Sequence, residues 1–177
     1  LLTGWAMRNV DKPARVDKAH SETAYMTDRA MEVIKSLGDA SWCLHLSYIK
    51  PHWPYMAPAP YHKMYSKKDV IPPIRCSDEI KTRHPVVDAY AAHEESINFS
   101  KDVCRERVIP SYMGLISELD ANIGRLVEFL KSEKKFDDTI IVITSDHGDY
   151  LGDHWLGEKE LFYESAIRIP MIIIDPG

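Results

Sequence analysis

Two short runs, Thr139-Ile140-Ile141-Val142-Ile143-Thr144 and Met171-Ile172-Ile173-Ile174, constrain the fold more than any other feature of the chain. Each is too short for a helix and lacks the polar alternation of a half-exposed strand. Each therefore reads as a strand buried on both faces, as in a parallel sheet covered by helices. Helical periods supply the cover. Ser21 reads as an N-cap with Glu22 in the first turn, and Met26, Ala30, Val33, Ile34 and Leu37 follow at one-face spacing before Gly38 stops the helix. A second helix is expected over roughly 85–101. The longest starts near Pro110, with a stripe of Tyr112, Leu115, Ile116, Leu119, Ile123, Leu126, Val127 and Leu130. Residues 41–49 place Trp42, Leu44, Leu46 and Tyr48 in alternation, which predicts a further strand. Residues 1–19 read as irregular. Six prolines between positions 51 and 73 make 50–83 an extended excursion. The order of elements predicts an α/β fold, a sheet flanked by helices, in one region spanning residues 1–177.

With 177 residues, 45% of them hydrophobic, the chain can bury one core and is not disordered. Its 22 Lys+Arg against 27 Asp+Glu give a formal charge of −5 with no basic stripe, so nucleic acid is not an expected partner. No apolar run approaches the roughly 20 residues of a membrane helix, so no membrane partner is expected either. Cys43, Cys76 and Cys104 are odd in number and show no metal-like spacing. A reducing, cytoplasmic setting is the expectation. Cys43 reads as a small buried hydrophobe, and His45 as a hydrogen-bonded core histidine.

Three segments could carry chemistry. Ser145-Asp146-His147-Gly148 follows the run 139–144 directly, and ligands of open α/β sheets bind beyond the carboxyl ends of strands. Asp146 and His147 could share one cation if the chain turns there, as Gly148 permits; oxygen plus nitrogen ligation suits manganese, zinc or calcium. The alternative is a strand-end turn in which Asp146 caps a backbone and His147 meets solvent. Asp149, Asp153 and His154 are neighbouring donors, although a self-contained local site is not expected. Lys50-Pro51-His52-Trp53-Pro54-Tyr55 holds His52 between two prolines, which suits general acid work; equally, it could be a surface loop with aromatics packed on prolines. Lys159, in Gly157-Glu158-Lys159, could stabilise an anion or simply be solvated.

Taken together, these segments resemble the sulfatase branch of the alkaline phosphatase superfamily. The resemblance runs through Tyr48 to Tyr55, Thr144 to His154, Gly157-Glu158-Lys159 and Arg168 to Ile173. The helices containing Thr27-Asp28-Arg29-Ala30 and Leu119-Asp120-Ala121-Asn122-Ile123-Gly124 share it, so it spans about residues 20–177. Ala57-Pro58-Ala59-Pro60-Tyr61-His62 and Ile71-Pro72-Pro73-Ile74-Arg75 look most similar to the phosphonate monoester hydrolase and phosphodiesterase group. The resemblance implies a three-layer α/β/α arrangement and hydrolysis of a small anionic sulfate or phosphate ester. It implies Asp146 and His147 as ligands of a divalent metal. His52 would contact the substrate anion or protonate the leaving oxygen, and Lys159 would stabilise the anion and the leaving group.

The sequence departs from the family at one point. The family nucleophile is a formylglycine made within Cys-x-Pro-x-Arg or its serine equivalent, and neither motif is present. The remaining family metal ligands belong to an N-terminal segment that these residues do not include. The expectation is therefore a middle region of a metal-dependent hydrolase, inactive alone and prone to self-association through exposed strand edges. Two other classes stay open: a non-catalytic module that kept the sheet, and a phosphatase or phosphomutase relative with a serine or threonine nucleophile, against which the Lys-Pro-His-x-Pro stretch speaks.

Overall fold

The computed structural model describes residues 9–176. Residues 1–8, the start of the stretch read as irregular, lie outside the described residues. Helix α1 (Glu22–Ser36) begins where the sequence places it: the Ser21 side chain accepts from the Ala24 amide at 3.1 Å. Its buried face is Thr23, Ala24, Thr27, Ala30 and Ile34, while Val33 and Leu37 of the predicted stripe are exposed. Two threonines thus replace expected aliphatics. Thr27 has a use for its hydroxyl, which lies 2.8 Å from the Tyr48 hydroxyl and ties α1 to the segment 41–49.

That segment alternates half-buried and exposed residues, with Trp42, Leu44, Leu46 and Tyr48 on the half-buried side. It is extended but forms no strand ladder. Side-chain alternation is a local property, whereas a ladder needs a partner, and among the described residues none pairs with it. Cys43 and His45 fall on its open side, so both are exposed and not core residues.

The excursion 50–83 contains short 3₁₀ turns at Tyr61–Lys63 and Lys67–Asp69, then helix α2 (Ser77–Lys81). The single helix expected over 85–101 is two, α3 (Pro85–Ala91) and α4 (Glu94–Phe99), broken at Ala92 and His93. The longest helix, α5, runs Asp102–Ser132 and starts eight residues before Pro110, which lies inside it. Pro110 lacks an amide and costs the helix a hydrogen bond there. Packing compensates, since Cys104 and Val108 join Val10, Tyr55 and Phe99 in a buried cluster.

Strands β1 (Ile141–Thr144) and β2 (Met171–Ile174) form a two-stranded sheet, joined through the short helix α6 (Glu164–Ile167). They pair antiparallel, with Ile141 opposite Ile174 and Thr144 opposite Met171, and not in the parallel sense expected. Nor are they buried on both faces: Val142, Met171, Ile172 and Ile173 are each more than half exposed. The composition is that of doubly covered strands, but within these residues one antiparallel pair carries no cover on those faces.

The loop 145–163 is fixed by two arginines. Arg105 donates to the carbonyls of Leu151 (3.0 Å) and Ile71 (2.8 Å), and Arg75 to those of Gly152 (2.8 Å) and Phe99 (2.9 Å). A second buried cluster, Tyr150, Leu156 and Ala166, closes its far side.

Candidate active site

The chain leaves β1 at Thr144 and turns at once. Asp146 Oδ1 accepts from the His147 amide at 3.0 Å, and Ser145 Oγ donates to the His147 carbonyl at 2.8 Å. This turn brings both side chains to one side: His147 Nε2 is 3.7 Å from Asp146 Oδ2. Gly148 serves it differently from the sequence expectation. Its backbone is not left-handed; the residue is small because the carbonyl of Ser165 presses against its Cα.

The loop carrying His52 meets this turn. The His52 and His147 rings lie edge to face with centroids 6.1 Å apart, and Lys159 Nζ reaches His52 Nε2 at 2.8 Å. Residues from positions 52, 146–147 and 159 thus form one cluster. All four residues singled out in the sequence are brought together.

Hydrogen bonding sets the tautomers. The Trp53 carbonyl, 3.1 Å from His52 Nδ1, can only accept, so Nδ1 carries the proton and Nε2 receives a Lys159 N–H. His147 Nδ1 donates in the same way to the Gly148 carbonyl at 2.7 Å, which leaves the Nε2 lone pair facing Asp146. Burial alone would raise the Asp146 carboxyl, but the charge of a protonated His147 and hydrogen bonds from the turn hold it below its usual range; loss of that proton frees the Nε2 lone pair for a cation. Two acceptors facing across 3.7 Å fit a divalent cation, because ligand bonds of roughly 2.0–2.4 Å let one ion touch both. Among the described residues, no group of three or more His, Cys, Asp or Glu side chains gathers in metal-binding geometry.

The neighbouring donors are engaged elsewhere. Asp153 accepts from the Ile74 amide (2.8 Å) and from Ser165 Oγ (2.6 Å). His154 Nδ1 pairs with Glu79 at 2.6 Å, and its ring stacks on Tyr163. Asp149 turns inward, where Tyr55 Oη donates to it at 3.0 Å. Burial, opposed by the Leu151 amide and the Tyr55 hydroxyl, pushes the Asp149 carboxyl up to about 6.

Sequence reasoning missed the supports of the site. Lys50 Nζ donates to the carbonyls of His52 and Pro54, both at 3.1 Å, and so braces the loop from inside. Behind it lies a cavity of about 490 Å³ lined by Lys50, Glu118 and Leu115, with Glu118 1% exposed on α5. Burial raises the Glu118 carboxyl and lowers the Lys50 ammonium. Glu118 and Asn122 fall between the apolar positions of the α5 stripe, so periodicity assigns them to solvent. The Lys-Pro-His spacing was visible, but the lysine's inward direction was not.

Similarity to known proteins runs along nearly the whole chain. The family description "Sulfatase" matches residues 4–177. The chain is 37% identical to the multifunctional alkaline phosphatase superfamily protein PehA of Trinickia caryophylli, over 94% of this chain and 35% of that protein. It is 34% identical to a choline-sulfatase of Rhizobium meliloti, over 99% of this chain and 35% of that protein. Among solved structures, the phosphonate monoester hydrolase of Silicibacter pomeroyi superimposes with a TM-score of 0.84 at 30% identity, covering all of this chain and 39% of that one. The corresponding enzyme of Agrobacterium radiobacter gives 0.85 at 27% identity, covering 94% of this chain and 35% of that one. The chain therefore spans little more than a third of the length of these relatives, and its helices and small sheet are part of an alkaline-phosphatase-like α/β fold. With the family match running almost from end to end and the His52, Asp146, His147 and Lys159 segments meeting in one cluster, the chain belongs to the sulfatase family.

Proposed function

We propose that the protein containing this chain hydrolyses small anionic sulfate, phosphonate or phosphodiester esters, using His52, Lys159, Asp146 and His147. One observation carries the reading: Lys159 Nζ lies 2.8 Å from His52 Nε2, beside the His147 ring. A lysine and an imidazole in hydrogen-bond contact share a mobile proton, and the remaining ammonium N–H groups are free to turn to an anion. His52 Nδ1 is tied to the Trp53 carbonyl, so proton exchange is confined to Nε2. Nε2 receives a proton from Lys159 Nζ and passes it to the leaving oxygen of the ester. Having given that proton, Lys159 is a neutral amine whose two remaining N–H groups hydrogen-bond the ester oxygens.

Asp146 Oδ2 and His147 Nε2 would hold the divalent metal, and their oxygen-plus-nitrogen chemistry suits manganese, calcium or zinc. When bound, it supplies Lewis-acid polarisation of the ester oxygen. Further ligands and a formylglycine nucleophile would come from residues beyond this chain. The chain alone is then expected to be inactive and to self-associate through the exposed Val142, Met171, Ile172 and Ile173.

The test uses the full-length protein with p-nitrophenyl sulfate, p-nitrophenyl phenylphosphonate and bis-p-nitrophenyl phosphate. Turnover of at least one is expected, with His52→Ala and Lys159→Ala each lowering kcat about 10²-fold or more. No turnover of any ester, or unchanged kcat in both variants, refutes the reading.

A further inference from the structure

The candidate active-site residues sit on loops that no strand ladder joins. The His52 loop follows an unpaired extended segment, and the Asp146–His147 turn follows β1. Besides the His52–His147 ring contact and the Lys159–His52 bond, a partly buried bond crosses between them, from Tyr55 Oη to Asp149 Oδ2 at 3.0 Å, bridging 94 positions of sequence. Tyr55 stands three residues after His52, and Asp149 two after His147. Each end of the contact is itself anchored. Tyr55 is 1% exposed, its ring meets Phe99 and Tyr112 edge-on, and its carbonyl accepts from Ser111 Oγ at 2.8 Å. The other carboxylate oxygen of Asp149 accepts from the Leu151 amide at 3.0 Å. Neither partner can drift without disturbing a packed neighbour.

We propose that Tyr55 and Asp149 are positioning residues, whose hydrogen bond sets the spacing between His52 and the Asp146–His147 pair. The inference rests on the site reading above and adds two residues that touch neither substrate nor metal. A buried tyrosine hydroxyl always needs a partner. What sets this one apart is the partner chosen: a carboxyl on the very turn that carries the donor pair, giving a directional, partly buried bond. A slip of about 1 Å between reacting groups is enough to cost about 10²-fold in rate, so a strut anchored in packed neighbours at both ends has catalytic leverage.

Tyr55→Phe keeps the ring and its packing and deletes only the hydroxyl. In the full-length protein, three quantities are measured: Mn²⁺ affinity by calorimetry (Ca²⁺ and Zn²⁺ in parallel), kcat and KM, and the unfolding midpoint. Tyr55→Phe is expected to weaken metal affinity and lower kcat, each about 10–100-fold, the range seen when outer supports of metal ligands are removed. KM should change by less than about twofold, since no substrate contact is lost. Asp149→Asn keeps one acceptor oxygen for two donors, Tyr55 Oη and the Leu151 amide, and should recover only part of both losses. Asp149→Ala should match Tyr55→Phe, and the double variant should be no worse than either single one. His52→Ala is the separating control: it should abolish turnover and leave metal affinity intact. If the wild type hydrolyses no ester, the functional reading fails while the metal-affinity arm still decides the strut. A Tyr55→Phe protein with a lowered midpoint but unchanged metal affinity and kcat overturns the proposal, as does a wild type that binds none of the three ions.

Discussion

Gly148 offers the sharpest test of how the site turn is built. A Cβ added there would stand 3.1 Å from the Ser165 carbonyl carbon and far inside contact distance of its oxygen, closer than the 3.0 Å that real Cβ atoms essentially never breach. Both groups are backbone, so neither can rotate away. Relief requires roughly 1 Å or more of relative movement between the 145–149 turn and α6, in a close-packed setting. That movement also strains the bond from the Gly148 amide to the Ala166 carbonyl, which is 2.7 Å long. Overpacking costs about 1–3 kcal/mol and a weakened hydrogen bond about 1 kcal/mol more. For a protein of this size, Gly148→Ala should then lower the unfolding midpoint by roughly 5–15 °C. His147, whose Nδ1 is fixed to the Gly148 carbonyl, would move with the turn, so turnover of the full-length protein should fall about 10²-fold. The control is Gly124→Ala on α5: a Cβ there meets nothing within 4 Å, and a helical glycine replaced by alanine should gain about 0.5–1 kcal/mol. Calorimetric scans of both variants with parallel kinetics decide the matter. If Gly148→Ala melts within about 1 °C of the wild type, or if Gly124→Ala is equally harmful, the close-approach argument is wrong.

Three further outcomes follow from buried or paired groups. Arg105→Met removes two bonds from a guanidinium that is 5% exposed and orphans the Leu151 and Ile71 carbonyls; urea unfolding should show a loss of about 2–4 kcal/mol, and a loss under about 0.5 kcal/mol would count against the clamp. Cys43 and Cys76 are exposed, whereas Cys104 is fully buried with its thiol pushed up to about 11 by burial, so a disulfide reagent at pH 8 should titrate two thiols in the native chain and the third only on unfolding. Glu79 is held below its ordinary 4.5: burial opposes this, but the bonds from His154 and the Cys76 amide prevail. Its contribution is therefore present above pH 4.5 and lost as pH falls through the lower folded value; Glu79→Gln should flatten the acid limb of a stability–pH curve, and an unchanged limb would exclude the pair as its source.

How much could be read beforehand divides along the line between local and non-local forces. Ser21, Glu22 and Gly38 mark α1 because a cap and a stop act within one turn of the chain. The alternation at 41–49 is equally legible, yet a strand exists only when a partner supplies the ladder, and sequence alternation says nothing of that. Pro110 misleads in the same way. Its local preference for a helix start is overridden by Cys104 and Val108 packing into the core. Within the site, His52, Asp146, His147 and Lys159 stand at strand-end and loop positions that sequence order makes conspicuous. Lys50 and Tyr55, visible only as flanks of His52, and Asp149, visible only as a neighbouring metal donor, do not disclose their roles, because these depend on the direction of one side chain, which no spacing rule encodes.

The two arginines and the serine that hold the loops indicate which element carries the site. Ser111 Oγ, on α5, donates to the Tyr55 carbonyl, and Arg105, six residues earlier on the same helix, holds the Leu151 carbonyl. One rigid helix therefore grips the His52 loop and the 145–163 loop at adjacent points, and the Tyr55–Asp149 bond closes the triangle between them. The sheet enters only through the end of β1. This explains why a two-stranded ribbon with exposed faces can coexist with an assembled cluster of His52, His147 and Lys159: the cluster's geometry is referred to α5, and the pairing of β1 with β2 is not what spaces it. It also explains the penetration of α5 back past Pro110. A helix starting at Pro110 would keep Ser111 but lose Arg105, and with it the grip on the second loop.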